Sequence, residues 1–177
     1  MKLSVLKLFL LLLFFLFVPS HAEQSKAPSI AVYFSPNGGC TNAIVSALDA
    51  AQTSILVQAY SFTSAPIAKA LVNAKNRGVD VQAILDKSQK TEKYTSATFL
   101  SNAGIPTFID SKHKIAHNKI MILDGRTVIT GSFNFTKSAE EGNAENLLVI
   151  SDAPELAKKY SENWKNHFLH SEPYSRP

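Results

Sequence analysis

The chain has 177 residues, with 18 lysines and arginines against 14 acids, for a formal net charge of +4. That excess is too small to mark a polycationic nucleic-acid protein from charge alone. The single cysteine, Cys40, excludes an internal disulfide, so the fold must be held by its core and Cys40 reads as a small buried thiol.

Residues 1–22 read as a secretory signal peptide. Lys2 and Lys7 make a positive start, Leu8 to Val18 is an unbroken apolar run, and Ser20-His21-Ala22 offers small residues for cleavage before Glu23. A membrane anchor, the competing reading, needs about 20 apolar residues. Losing this segment removes two lysines and no acids, which leaves +2 on residues 23–177. That remainder has the length of one domain, expected in the periplasm or outside the cell.

Along the mature chain, Ser29 to Phe34 has strand character, and Thr41 suits the N-cap of a helix reaching Ala51. Ile55 to Tyr60 predicts a second strand. Ala65-Pro66 opens a helix that Arg77-Gly78 closes, with proline at the start and glycine at the end. Val79 to Leu85 predicts a third strand, Lys90 to Ala103 a helix stopped by Gly104, and Thr107 to Ile109 a short strand. Asn118 to Leu123 and Thr127 to Thr130 flank Asp124-Gly125 as a hairpin. Leu147 to Ile150 follows as a strand, and Pro154 to about His170 as a closing helix. Strands alternating with single helices, then a run of hairpin strands, predict an α/β domain with a mixed central sheet flanked by helices on both faces.

The most specific feature is H-x-K-x4-D-x6-G-S-x-N, spelled by His117, Lys119, Asp124, Gly131, Ser132 and Asn134. Six fixed positions have a chance expectation on the order of 10⁻⁸ per starting site. Asp-Gly suits a two-residue type I′ turn, in which both residues need positive φ. In that register Leu123 faces Arg126 and His117 faces Ser132. Strand alternation puts His117 with Lys119 on one face, and Ser132 with Asn134 on one face. Gly131, lacking a side chain, would let a bulky anion approach beside the histidine. Polar groups converging on one point suit a phosphate better than a core. Asp124 is the exception, because its place in the turn explains it without a catalytic role.

Lys112 to Lys119 holds three lysines and two histidines without an acid, and Arg126 and Lys137 flank the hairpin. These residues read as a basic rim for a polyanion. Phe133 and Phe135 read as packing beneath the site, with base stacking as the alternative. No metal is expected. His113 and His117 are spaced for a zinc pair only on a helix, without a nearby cysteine or acidic third ligand, and His167 and His170 read as charges at a helix C-terminus.

The string resembles the HKD motif of the phospholipase D superfamily with its G-S-x-N extension. Tyr33-Phe34-Ser35-Pro36, Gln58-Ala59-Tyr60-Ser61-Phe62-Thr63 and Asn143-Ala144-Glu145-Asn146 carry the resemblance over nearly all of the mature chain. It is similar to the small single-motif bacterial endonucleases of that superfamily. The resemblance implies a metal-independent phosphodiesterase without cofactor, in which His117 attacks phosphorus to form a phosphohistidine. A second histidine would protonate the leaving oxygen and then activate water. Lys119 and Asn134 would bind the non-bridging oxygens with Ser132 hydrogen-bonding nearby. Glu145 would accept a hydrogen bond from the other ring nitrogen of His117, and Asp124 would hold the hairpin. The implied substrate is nucleic acid, DNA ahead of RNA. Phospholipid head groups and non-catalytic nucleic-acid binding stand as alternatives. With one motif per chain, two-fold symmetry is the simplest source of the second histidine, which predicts a homodimer with the active site at its interface.

Overall fold

The computed structural model describes residues 27–91 and 95–175. The expected signal peptide lies outside them. The strands are β1 (Ser29–Ser35), β2 (Ser54–Ala59), β3 (Asp80–Asp86), β4 (Thr107–Asp110), β5 (Lys119–Leu123), β6 (Thr127–Gly131), β7 (Glu145–Ser151) and β8 (Glu172–Pro173). The α-helices are α1 (Cys40–Ala50), α2 (Ala65–Asn76), α3 (Ala97–Asn102), α4 (Lys137–Glu141) and α5 (Pro154–Phe168).

All eight strands join one mixed sheet in the order β1-β7-β6-β5-β2-β3-β4-β8. β2, β3 and β4 run parallel, and the other pairings are antiparallel. Helices cover both faces, as the alternation of elements predicts. Ile44 and Leu48 of α1, Ile67 and Leu71 of α2, and Leu100 of α3 pack with Ile55, Val57, Met121 and Leu123 on one face. On the other, Ala157 and Trp164 of α5 pack with Ile84, Ile120, Ile122 and Val128. Trp164 Nε1 also donates to the Val57 carbonyl at 2.9 Å, so its one polar atom is satisfied in that layer. β5 therefore feeds alternate residues into both cores, and all five of its residues are buried.

Several expected boundaries move for tertiary reasons. Thr41 does not cap α1. The N-cap lies two residues earlier, at Gly39 with φ 82, and the Glu140 carboxylate accepts from the backbone N–H of Gly39 (3.1 Å) and Thr41 (2.6 Å). A carboxylate from α4 thus supplies the N-terminal acceptor. The expected Lys90–Ala103 helix shortens to α3, preceded by a 3₁₀ turn at Lys87–Lys90, and 92–94 lie outside the described residues. The two-residue strand β8 has no periodic signal to announce it.

The hairpin turns where expected but pairs one residue out of the expected register. Asp124 and Gly125 take φ of 52° and 60°, and Arg126 N–H donates to the Leu123 carbonyl at 3.0 Å. Leu123 nevertheless pairs with Thr127, not with Arg126. Only one of the two bonds that would close a two-residue loop is diverted: Arg126 O, which would accept from Leu123 N–H, accepts from Ala153 N–H at 2.8 Å instead, while Asp124 N–H ties the turn to Ser54 O at 2.9 Å. Beyond β6, Ser132 and Phe133 N–H groups both donate to the Asn146 carbonyl of β7 (3.1 and 3.2 Å), a bulge-like doubling against that strand.

Two motif residues hold this arrangement. The Asp124 carboxylate accepts from the N–H groups of Gln52, Thr53 and Ser54 and from the Thr53 hydroxyl, tying the hairpin to the connection between α1 and β2. Gly131 sits at φ 150°, and a Cβ there would lie 2.2 Å from Asn146 O. Close approach of β7, rather than room for an anion, is what requires glycine at this point.

Both assignments predict stability effects. Asp124→Asn should lose about 1–2 kcal/mol in denaturant titrations near neutral pH. Burial pushes the Asp124 pKa up, but the hydrogen bonds from Thr53, Ser54 and Gln52 outweigh it and hold the carboxyl below its ordinary value. Its contribution is therefore complete above the ordinary carboxylate pKa and is lost as pH falls through and below it, so the gap between variant and wild type should narrow by about pH 3. Gly131→Ala should cost about 2–4 kcal/mol through the clash with the Asn146 backbone, and an unchanged melting temperature would contradict that account.

Candidate active site

The parallel strands β2, β3 and β4 end at one edge of the sheet, where β5 and β7 begin. Crevices outside the carboxyl ends of strands are the usual ligand sites of α/β sheets. Here an open cleft of about 300 Å³ is lined by His117, Lys119, Gly131, Ser132, Asn134 and Glu145. The structure brings together every motif residue except Asp124, which sits at the far end of β5.

β5 pairs with β2 so that Lys119 lies opposite Ala59, and Tyr60 N–H donates to the Asn118 carbonyl at 2.8 Å. This register sets Tyr60 beside the exposed His117, with ring centroids 4.6 Å apart. Lys119 is 7% exposed, unusual for a lysine. Its Nζ donates to the His117 carbonyl at 2.7 Å and lies 5.1 Å from the Tyr60 ring centroid. Burial pushes the Lys119 pKa down, against the opposing pull of the Glu145 carboxylate. One of three ammonium hydrogens is used by the His117 carbonyl, so donors remain for an anion.

The opposite wall is hung from two phenylalanines. Phe133 and Phe135 are fully buried, and Phe135 meets Phe62 edge to face at 5.8 Å. Thr63 and Ser64 N–H groups both donate to Phe135 O. These rings are packing beneath the site and are not available to stack on bases. Between and before them, Ser132 and Asn134 face the cleft. Ser132 Oγ accepts from Asn146 N–H at 3.0 Å, leaving its own hydrogen to donate. Asn134 Oδ1 is buried without a hydrogen-bond partner, so the protein does not hold that end of the amide.

Glu145 lines the cleft, but its Oε1 accepts from Asn143 Nδ2 at 3.2 Å, and the His117 ring packs against Tyr60. No hydrogen bond joins Glu145 to the His117 ring in this geometry, where the expected carboxylate–imidazole contact is not formed. The expected basic rim also contracts. Arg126 pairs with Asp152 at 2.5 Å at the turn end of the hairpin, and Lys137 pairs with Glu141 at 3.6 Å. Lys112 and Lys114, exposed in the segment that leads to His117, remain. Sequence reasoning missed Tyr60 as a wall of the site, although Gln58 to Thr63 was marked by resemblance. It also missed that Asp110, His113, His167 and His170 gather at one point.

Comparison with known proteins agrees with this geometry. The family model for the cardiolipin synthase, PLD-like domain matches residues 44–168. A phospholipase D from Rickettsia conorii is 45% identical over 147 residues, 83% of this chain and 72% of that protein. The crystal structure of Nuc, a phospholipase D family member from Salmonella typhimurium, superposes with a TM-score of 0.80 at 45% identity, covering 85% of this chain and 99% of that one. NucT from Helicobacter pylori gives a TM-score of 0.77 at 25% identity, covering 83% and 99%. With the motif, the cleft and the mixed sheet all in agreement, the chain belongs to the phospholipase D superfamily.

Proposed function

We propose that this protein is a phosphodiester hydrolase acting on nucleic acid, with His117 as nucleophile and without a catalytic metal. The observation that carries this reading is the cleft itself, where an exposed histidine, a buried lysine and two short polar side chains share one polar lining. Lys119 has already lost its water, so an anion that meets it exchanges little solvation for a strong charge contact. In the proposed sequence a ring nitrogen of His117 bonds to phosphorus as the bond to the leaving oxygen breaks. A second imidazolium gives that oxygen a proton, and the resulting imidazole takes one from the water that cleaves the phosphohistidine.

The second histidine would come from another copy of the chain. Among the described residues, the other three histidines cluster around Asp110 and none lines the cleft. An exposed apolar stripe supports a homodimer: Ile30, Val32 and Phe34 are 66%, 51% and 64% exposed on the edge strand β1. The stripe ends beside the cleft, where Phe34 pairs with Asn146 and Ser35 with Glu145. The same reading takes residues 1–22 as an export signal, so the substrate would lie in the periplasm or outside the cell.

A second reading, hydrolysis of phospholipid head groups, is favoured by Ile115, 51% exposed between Lys114 and the site, and by the name of the Rickettsia relative. Parallel incubation with plasmid DNA, RNA and phosphatidylcholine vesicles separates the two. Nicked DNA is expected from the wild type and none from His117→Ala. Lys119→Ala should lose about 10²–10³-fold in rate. Turnover of vesicles alone would replace the nucleic-acid reading. For the dimer, mixing excess His117→Ala with wild type should silence most wild-type chains. Val32→Asp should lower activity most steeply at low protein concentration. A fully active monomer in sedimentation would defeat this part of the proposal.

A further inference from the structure

Away from the cleft lining, four potential ligands converge where β4 ends. Asp110 closes that strand with 0% exposure, and three imidazoles point nitrogen at its carboxylate. His167 Nδ1 lies 2.7 Å from Oδ2, His113 Nδ1 3.0 Å from Oδ2, and His170 Nε2 3.4 Å from Oδ1. The four ligand atoms fall within 4.8 Å of one another. The His113 ring centroid is 4.8 Å from that of His167 and 5.2 Å from that of His170.

From this arrangement we propose that Asp110, His113, His167 and His170 form a structural zinc site. Three neutral imidazoles and one carboxylate are a donor set that zinc binds well, and four protein ligands close its tetrahedral shell. Bonds of 2.0–2.2 Å put tetrahedral ligands about 3.3 Å apart, close to the separations around Asp110. The remaining contraction is open to His113 and His170, whose side chains keep 43% and 21% exposure. His170 Nε2 is buried and has only the long 3.4 Å contact with Asp110 Oδ1, without well-formed hydrogen-bond geometry, so a purely hydrogen-bonded cluster would leave one ring poorly satisfied. A metal uses that nitrogen.

The surroundings are built to hold the ligands in place. Lys112 N–H donates to Asp110 Oδ1 at 3.1 Å, orienting the carboxylate. Ser171 Oγ donates to the His167 carbonyl at 2.8 Å where α5 ends, in the turn that brings His170 round to the same point. Lys87 Nζ donates to the His113 carbonyl at 3.1 Å, and Ala116 N–H to Asp86 Oδ2 at 2.7 Å. Zinc would staple residues 111–117, which carry His113 and end at His117, to the C-terminal end of α5. Its role is to fix that segment, not to take part in the reaction.

The test is zinc binding to the full-length protein. Titration calorimetry and metal analysis after desalting should give one zinc per chain, and cobalt(II) should give the intense visible bands of a tetrahedral site. With zinc at about a hundred times its Kd, the melting temperature should rise by about 5–10 °C. Removing the half-exposed ligand in His113→Ala should weaken binding about 100-fold or more while the protein stays folded. The pair His167→Ala with His170→Ala should abolish binding. His117→Ala should bind as wild type does, which separates this site from the cleft whatever its activity proves to be. Binding weaker than about millimolar, binding retained without His167 and His170, or binding lost with His117 would each overturn the proposal.

Discussion

The bond set on the Asp124 carboxylate is the constraint on which the rest of the site depends. It gathers three backbone N–H groups and a hydroxyl from Gln52 to Ser54, so the start of β2 and the end of β5 are clamped at one level. From that clamp the antiparallel register follows, Leu123 against Ile55 through Lys119 against Ala59. A slip of one residue would send Ile120 and Ile122 into the core of Met121 and Leu123, and the reverse, because strand side chains alternate between faces. The aspartate of the motif thus serves the histidine from the opposite end of a buried strand, without touching it.

The price of that register is a lysine at the buried end of β5. Lys119 is dehydrated, and burial lowers its pKa against the pull of Glu145. Asn134 adds a buried carbonyl oxygen with no partner. Both are costs to the folded protein; an oxyanion could offset the first by accepting from the ammonium, whereas the Asn134 carbonyl oxygen needs a donor. Such preorganised polarity, held by Phe133 and Phe135 in the core and by the doubled bond to Asn146, is where hydrolytic sites obtain most of their stabilisation.

Local patterns were legible wherever one segment carries its own signal. Asp124-Gly125 between β-branched runs marks the turn, Ala65-Pro66 and Gly78 bracket α2, and the apolar stretch of β2 marks a strand buried on both faces. What failed were inferences that needed a partner from elsewhere. Thr41 had the right chemistry for a cap, but Glu140 reached the helix start instead. Arg126 and Lys137 looked like a rim until Asp152 and Glu141 were seen beside them. Gly131 was read through its missing side chain, whereas the approaching Asn146 backbone is the reason for it.

The histidines show the boundary most clearly. By itself the sequence determined the superfamily, the mixed α/β sheet and the identities of the groups that meet in the cleft, because those signals lie within short segments of matching periodicity and fixed spacing. Asp110-x-x-His113 and His167-x-x-His170 are also visible there, yet each pair alone is unremarkable chemistry. Only the tertiary structure decided that the end of α5 lies against the end of β4, which brings residues 57 positions apart to 2.7 Å. It likewise decided the hairpin register, in which Arg126 O accepts from Ala153 N–H and not from across the hairpin. Spacing along the chain encodes neighbours within one element, whereas meetings between elements are set by how the two cores pack on the sheet.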